Sequence, residues 1–223
     1  MLIYSLILHI RHFLYDKGIL KSYETELPSV CIGNVSAGGT GKTPMTELVV
    51  KTLLENDVPA ADAELFGFEK DSLFFQQRAD VAVLSRGYKR KSKGYVKASR
   101  DSLVAEIGDE PKQMARKFWG EASVAVCECR ADGIAEILKE GSDRQLIVLD
   151  DAFQHRSVRP RVDILLVDYS RPIFEDHLLP WGNLRESAKE SARANIVVIT
   201  KCPDDMKPID RRVMSEYVNL LPS

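Results

Sequence analysis

Residues 29–54 of the 223-residue chain read SVCIGNVSAGGTGKTPMTELVVKTLL. The first six residues form an apolar run typical of a buried strand, and residues 44–54 repeat apolar side chains at helical spacing. A glycine-rich turn at residues 36–43 separates the two segments. A strand, a glycine-rich turn and a helix in this order predict a phosphate-binding loop, or P-loop.

Eight residues make up this predicted cofactor-binding loop: Ser36, Ala37, Gly38, Gly39, Thr40, Gly41, Lys42 and Thr43. The strict P-loop pattern requires glycine at position 36, so this loop is a variant whose glycines lie further inward. Its glycines still allow successive N–H groups to turn toward one phosphate at the positive end of the helix dipole. We expect Lys42 to reach the β and γ phosphates and Thr43 to bind Mg²⁺.

The rest of the chain alternates apolar runs with helical segments. The runs predict strands at residues 81–85, 123–127, 145–150, 162–167 and 196–200. Helical spacing predicts helices at residues 111–118, 132–138 and 210–221. Strands that are apolar at nearly every position imply a parallel sheet covered on both faces. We therefore predict an α/β fold of the P-loop NTPase type, with a doubly wound, mainly parallel sheet.

Two segments stand apart from this core, which we place at residues 23–223. Residues 1–22 predict an amphipathic N-terminal helix, whose apolar run is too short to cross a bilayer. Two interpretations stay open for this helix: it packs on the core, or it lies in a membrane interface with Arg11 and Lys17 near the headgroups. Residues at about 59–79 mix phenylalanines with acids and predict an insertion of unknown role.

The strand at 145–150 delivers two acids to the carboxyl edge of the sheet. Asp150 and Asp151 follow four apolar residues, as in a Walker B strand, and we expect one of them to hold Mg²⁺ directly or through water. His155 follows closely. It either orients a phosphate or a carboxylate, or is a hydrogen-bonded structural histidine.

A second group of polar residues follows the strand at 81–85. Arg86 and Tyr88 open a basic run that ends at Lys97, and this run is either a solvated face or a site for an anionic substrate. Further along, Asp109 precedes a predicted helix. It can cap that helix or serve as a general base.

Charge and cysteine content exclude several classes of protein. The chain carries 31 basic and 33 acidic residues, so its net charge of −2 gives no argument for nucleic-acid binding. Its cysteines lie in or beside apolar runs and predict reduced, buried thiols, not a zinc site: Cys31, Cys127, Cys129 and Cys202. Thr200 and Lys201 faintly resemble the guanine-reading motif of GTPases, but Pro203 stands where the base-reading Asp is required.

Six ordered blocks resemble the tetraacyldisaccharide 4'-kinases of lipid A biosynthesis. They are GNVSAGGTGKTP (33–44), LSRGY (84–88), GDEP (108–111), DDAFQH (150–155), LPWGNLRE (179–186) and VITK (198–201). The resemblance implies that ATP with Mg²⁺ phosphorylates the 4'-hydroxyl of a lipid A disaccharide precursor that carries a 1-phosphate. It also implies a peripheral protein at the cytoplasmic face of the bacterial inner membrane.

The resemblance assigns roles to individual residues. Asp109 falls on the general base of the family, and Lys42, Thr43, Asp150 and Asp151 fall on its phosphate and metal residues. Among these, Asp109, Lys42 and Asp151 are the predicted catalytic residues, and Arg86, Tyr88 and His155 are predicted to bind the substrate.

Two alternatives stay open at this stage. Members of the family are normally much longer, and their C-terminal part completes the nucleotide cleft, so this chain can be a fragment that binds nucleotide or lipid without catalysing transfer. A membrane-cycling P-loop ATPase switch is the other alternative. Such switches carry a second lysine where this chain has Ala37.

Overall fold

The computed structural model describes residues 2–55, 80–141 and 146–219, so the predicted insertion at 59–79 lies outside the described residues. The helices are α1 (Leu2–Asp16), α2 (Lys42–Glu55), α3 (Val104–Ile107), α4 (Asp109–Lys117), α5 (Arg130–Lys139) and α6 (Pro208–Asn219). The strands are β1 (Tyr23–Glu24), β2 (Ser29–Gly33), β3 (Val81–Ser85), β4 (Val96–Lys97), β5 (Ala122–Val126), β6 (Leu146–Asp150), β7 (Val158–Arg159), β8 (Val162–Asp168) and β9 (Ile196–Thr200).

One seven-stranded sheet organises the described residues, in the order β4-β5-β3-β6-β2-β8-β9. All of its neighbouring pairs are parallel except β4 with β5. Because β2 lies between β6 and β8, the carboxyl ends of these central strands meet where doubly wound sheets bind ligands. The predicted α/β fold with a mainly parallel sheet is confirmed.

The sheet separates two apolar clusters, one on each face. On β2, Val30 and Ile32 belong to the cluster that packs against α2 and α4, and Cys31 belongs to the opposite cluster under α5. Side chains alternate between the faces of a strand, so a strand that is covered on both faces is apolar throughout. This explains why β2, β3 and β6 are buried at every position.

Helix α1 presents its apolar face outward. Its exposed apolar residues are between 50 and 58% exposed: Leu6, Ile7, Ile10 and Phe13. The side that contacts the body is largely polar, with His12 buried, Arg156 donating to Asp16 at 2.6 Å, and Arg11 donating to the Gln154 carbonyl. Within the described residues, no helix combines the length and apolar character needed to cross a membrane.

Several expectations need correction. Cys129 and Cys202 are exposed, so the prediction of buried thiols holds only for Cys31 and Cys127. The predicted strands and helices agree with the described elements to within about two residues at the ends that the structure describes, with one exception. The N-terminal helix predicted over residues 1–22 ends at Asp16, just before Gly18 adopts a φ of 69° that an α-helix cannot continue through. The sequence shows no signal for β1, β4, β7 or α3, because elements of two to four residues are too short to show a period.

Candidate active site

The P-loop connects β2 to α2 at the carboxyl edge of the sheet. Gly38 and Gly41 adopt φ values of 105° and 88°, a region that side-chain-bearing residues rarely enter. Asn34 fixes the loop from below: its side-chain amide donates to the Thr40 hydroxyl at 2.7 Å, and its oxygen accepts from Lys42 Nζ at 3.4 Å. The structure therefore brings together a glycine-rich turn, a lysine and a helix N-terminus, as the sequence predicted.

A distant segment holds the start of the P-loop. Ala37 N–H donates to the Asn183 carbonyl at 2.6 Å, and Arg185 N–H donates to the Val35 carbonyl at 2.7 Å. Both contacts lie beside an antiparallel bridge between Ser36 and Leu184. The sequence showed this segment only as a block of resemblance, because a contact across about 150 residues leaves no local pattern.

Asp150 is buried at the end of β6. Its two carboxylate oxygens accept hydrogen bonds from the hydroxyls of Thr46 at 2.9 Å and Ser85 at 3.0 Å. Burial raises the pKa of Asp150 to about 6, although these two hydrogen bonds oppose the rise. Its carbonyl accepts from Arg130, which is itself fully buried. Sequence reasoning missed Thr46, Ser85 and Arg130.

Asp151, the next residue, lies between two cations. Its carboxylate is 3.7 Å from Lys42 Nζ on the P-loop side and 3.4 Å from the Arg185 guanidinium on the other. The backbone of Asp151 has φ 46°, which costs a non-glycine residue about 1–2 kcal/mol. Asp151 is therefore held toward the loop, whereas Asp150 is turned into the protein.

A cavity of about 300 Å³ opens on the far side of Asp151. It is lined by α1, the turn after β3, the turn after β6 and the segment around residue 185. The lining residues are Tyr4, Leu8, Arg11, Arg86, Asp151, Gln154, His155, Arg185 and Glu186. Three arginines, Arg11, Arg86 and Arg185, line this cavity, which we call the arginine cavity. They favour an anionic ligand.

Of the three predicted substrate-binding residues, two line this cavity and one does not. Arg86 and His155 both line this cavity, whereas Tyr88 is not among its lining residues and its side chain is 68% exposed. Burial, Arg130 and Arg86 together lower the pKa of His155 to about 4, so its ring is neutral at pH 7. A neutral imidazole offers one donor and one acceptor to a ligand.

The basic run after Arg86 divides between structure and surface. Arg90 is almost completely buried and pairs with Glu128 at 2.7 Å, and Lys97 pairs with Glu140 at 2.6 Å. These two side chains are committed to partners within the fold. Within this run, Arg86 is the residue that lines the cavity.

Asp109 begins α4, beside the turn that follows β3. Gly108 is the N-cap residue, and no side chain caps this helix, so the capping interpretation of Asp109 is wrong. A Cβ built on Gly108 would lie 3.1 Å from the Tyr88 carbonyl, and one on Gly87 would lie 2.9 Å from the Ile107 carbonyl. This backbone contact brings Asp109 to the carboxyl end of β3.

The donor set at the P-loop suits a hard cation. Thr43 and Asp151 supply a hydroxyl and a carboxylate at the sheet edge, both of them oxygen donors that Mg²⁺ prefers. Among the described residues, no group of three or more His, Cys, Asp or Glu side chains is placed to hold a metal. These donors therefore fit a cation that shares its coordination with nucleotide phosphates and water.

Comparison with known proteins identifies the relatives of this chain. It is 46% identical over 222 residues to the tetraacyldisaccharide 4'-kinase of Bacteroides thetaiotaomicron, which covers 99% of this chain and 52% of that protein. The enzyme of the same name from Porphyromonas gingivalis strain W83 is 41% identical, with 99% and 56% covered. The chain thus spans about half the length of the curated relatives it matches.

A solved structure shares the fold. It is the "apo" form of LpxK from Aquifex aeolicus in complex with ATP, with a TM-score of 0.72 and 34% identity over 92% of this chain and 59% of that one. The model of the family LpxK, tetraacyldisaccharide-1-P 4'-kinase, matches residues 1–61 and 72–220. Since the match extends over most of the chain and includes the P-loop, Asp150 and Asp151 at the end of β6, and the arginine cavity, this chain belongs to the tetraacyldisaccharide-1-P 4'-kinase family.

Proposed function

We propose that this chain transfers the γ-phosphoryl group of ATP to the 4'-hydroxyl of a tetraacyldisaccharide 1-phosphate, the lipid A precursor. The observation that carries the proposal is the position of Asp151. Its carboxylate lies between Lys42 of the P-loop and Arg185 of the arginine cavity. Direct transfer requires that the phosphoryl donor and the acceptor are held close together. In the proposal, the donor site and the acceptor site flank the carboxylate of Asp151.

The P-loop is the proposed nucleotide site. Its N–H groups and the charge of Lys42 bind the β and γ phosphates, and the ATP complex of the Aquifex aeolicus relative supports the choice of nucleotide. Thr43 and Asp151 would hold Mg²⁺, which neutralises charge on the transferring phosphoryl group when it is bound. Asp150 supports them from behind, because its hydrogen bonds with Thr46 and Ser85 tie α2 and β3 to β6.

The arginine cavity is the proposed acceptor site. Arg11, Arg86 and Arg185 neutralise the phosphate of the disaccharide, and the neutral ring of His155 exchanges hydrogen bonds with the sugar or its phosphate. Asp109 is the proposed general base. Its place in the first turn of α4, next to the carboxyl end of β3, supports this role, because a carboxylate can accept the proton of the attacking hydroxyl.

The position of helix α1 supports an acceptor site at the membrane surface. Tyr4 and Arg11 of α1 line the arginine cavity, while the opposite side of the helix presents Leu6, Ile7 and Ile10 to the exterior. Such a helix lies in a membrane interface with its apolar side among the acyl chains. We place this peripheral association at the cytoplasmic face of the bacterial inner membrane, where both ATP and the acylated substrate are present.

A turnover assay tests the proposal. It uses radiolabelled ATP, the disaccharide 1-phosphate in mixed micelles and the variants Asp109→Asn and Asp132→Asn. Asp132 is a matched control, because it occupies the first turn of α5 as Asp109 occupies that of α4. We expect Asp109→Asn to lower kcat by about 10²–10⁴-fold, with the melting temperature and ATP affinity unchanged.

The outcomes separate the parts of the proposal. Turnover in the wild type, retained in Asp132→Asn and lost in Asp109→Asn, supports all of it. Near-normal turnover in Asp109→Asn would assign the base to another residue. Binding of Mg-ATP without any turnover in the wild type would refute the transferase function for this chain.

A further inference from the structure

Lys201 connects the end of the sheet to the P-loop. The residue follows β9, and its ammonium group donates to the Gly39 carbonyl at 2.5 Å and to the Asp168 carboxylate at 2.7 Å. Its backbone has φ 56°, a left-handed conformation that costs a side-chain-bearing residue about 1–2 kcal/mol. A residue keeps such a conformation only where its surroundings stabilise it. Here the two hydrogen bonds of the ammonium group hold Lys201 in place.

Asp168, at the end of β8, fixes the direction of this lysine. Its carboxylate is only 2% exposed, and its second oxygen accepts from the N–H and hydroxyl of Ser170 at 3.0 and 2.7 Å. Burial opposes ionisation, but the hydrogen bonds from Lys201 and Ser170 outweigh it and hold the pKa of Asp168 well below its usual range. The carboxylate is therefore charged throughout the physiological pH range.

The end of β9 also contacts Thr40, the next residue of the P-loop. The hydroxyl of Thr200 donates to the Thr40 carbonyl at 2.9 Å. Two successive P-loop carbonyls thus point toward β9. In a trans peptide the N–H points away from the carbonyl, so the Gly41 N–H is turned to the opposite side of the loop.

We infer that Lys201, held by Asp168, is a positioning residue that fixes the P-loop backbone in its phosphate-binding conformation. The lysine turns the Gly39 carbonyl away from the phosphate side, and the paired Asp168 carboxylate balances its charge. Glycines at 38, 39 and 41 make the loop free to adopt other conformations, so an external restraint has an effect there. The part of this inference that concerns nucleotide rests on the proposed function.

The test has one readout that needs no nucleotide. Hydrogen exchange of residues 36–43 is measured in the nucleotide-free protein for the wild type, Lys201→Met, Lys201→Gly and Lys201→Arg. Lys207→Met is the matched control, because Lys207 is an exposed lysine six residues further on. Lys201→Gly removes the side chain while accepting the left-handed backbone, so it keeps the fold even where Lys201→Met does not.

We expect loop exchange to rise about tenfold or more in the Met and Gly variants, since hydrogen bonds to charged groups are the strong ones. Lys201→Arg, which keeps the charge and its donors, should restore most of the protection, and Lys207→Met should match the wild type. Unchanged exchange in a folded Lys201→Gly protein would overturn the inference, whatever the nucleotide affinity.

A second readout is the affinity for Mg-ATP by calorimetry. We expect the Met and Gly variants to bind about tenfold more weakly, with Lys201→Arg close to the wild type. Faster exchange with unchanged ATP affinity would overturn the positioning role in nucleotide binding. A wild type that binds no Mg-ATP, yet shows the expected exchange pattern, would refute the proposed function and leave the restraint of the loop supported.

Discussion

Helices α1 and α2 are both amphipathic, yet they use their faces in opposite ways. Helix α2 buries Val50, Leu53 and Leu54 against the sheet, and apart from Leu48 and a proline in its first turn its exposed residues are polar. Helix α1 attaches to the body largely through polar side chains and leaves Ile7 and Ile10 exposed. The apolar period of a helix therefore identifies its apolar face. The contacts of its polar side chains determine whether that face packs on the core.

Ion pairs and hydrogen bonds attach α1 to the body. Arg156 donates to Asp16, approaches His12 Nδ1 at 3.0 Å and lies over the Tyr15 ring at 5.1 Å. His12 also lies 3.4 Å from Glu186, which is fully buried and paired with Arg193 at 2.8 Å. Such contacts orient a helix without consuming its apolar surface. The apolar surface of α1 therefore stays exposed.

The largest difference between the two helices is expected in folding stability. Leu53→Ala on α2 should lower the free energy of unfolding by about 2–5 kcal/mol, because it leaves a cavity in the core. Leu48→Ala is the matched control on the same helix, since Leu48 is 55% exposed. Urea denaturation measures both. Equal losses in the two variants would mean that both faces of α2 are buried.

A smaller loss is expected where the polar face of α1 is detached. Arg156→Met removes the contacts with Asp16, His12 and Tyr15, and should lower the free energy of unfolding by about 1–2 kcal/mol while speeding hydrogen exchange in α1. Arg159→Met is the control, because its pair with Glu24 is exposed at both ends. Protected α1 amides in a folded Arg156→Met protein would show that apolar contacts hold the helix.

The sequence predicted features that depend on neighbouring residues. The strand, loop and helix of residues 29–54, the acids of β6 and the period of α1 are all local patterns, and the parallel sheet follows from strands that are apolar throughout. It did not predict Thr46, Arg130, Asn183 or the contact of Lys201 with Gly39. Those roles arise from pairs far apart in the chain, and only the strand order brings them together.

The pH dependence of folding stability tests the environment of His155, which lines the arginine cavity between α1 and the body. The pKa of His155 is lowered to about 4, below the ordinary value of about 6.5. Between these values the unfolded chain binds more protons than the folded chain, so the His155 contribution is present above pH 6.5 and is lost as the pH falls to 4. The raised pKa values of Asp150 and Asp163 act in the opposite direction.

A difference measurement isolates the histidine. As the pH falls from 6.5 to 4, the free energy of unfolding of His155→Gln should rise relative to the wild type by up to about 1.4 kcal/mol per pH unit. Denaturant titrations at half-unit pH intervals give this slope. Parallel curves for the two proteins would show that the ring of His155 protonates as easily in the folded state as in the unfolded state.

The smallest effect on stability is expected on the apolar face of α1. Replacing Leu6, Ile7 and Ile10 with serine should change the free energy of unfolding in buffer by less than about 1 kcal/mol, because these side chains are already exposed. The same substitutions should weaken binding to anionic liposomes about tenfold or more, since buried apolar area supplies most of the interfacial affinity.

Ile209→Ser is the matched control for this face, because Ile209 is 60% exposed on α6 and lies outside α1. It should bind liposomes like the wild type in the same co-sedimentation assay. A triple variant as unstable as Leu53→Ala would place the apolar face of α1 in the core, and the contrast with α2 would disappear. Retained liposome binding by a stable triple variant would instead assign membrane contact to another surface. Loss of binding at unchanged stability is the result that an outward apolar face requires, because that face then contributes to the membrane-bound state and not to the fold.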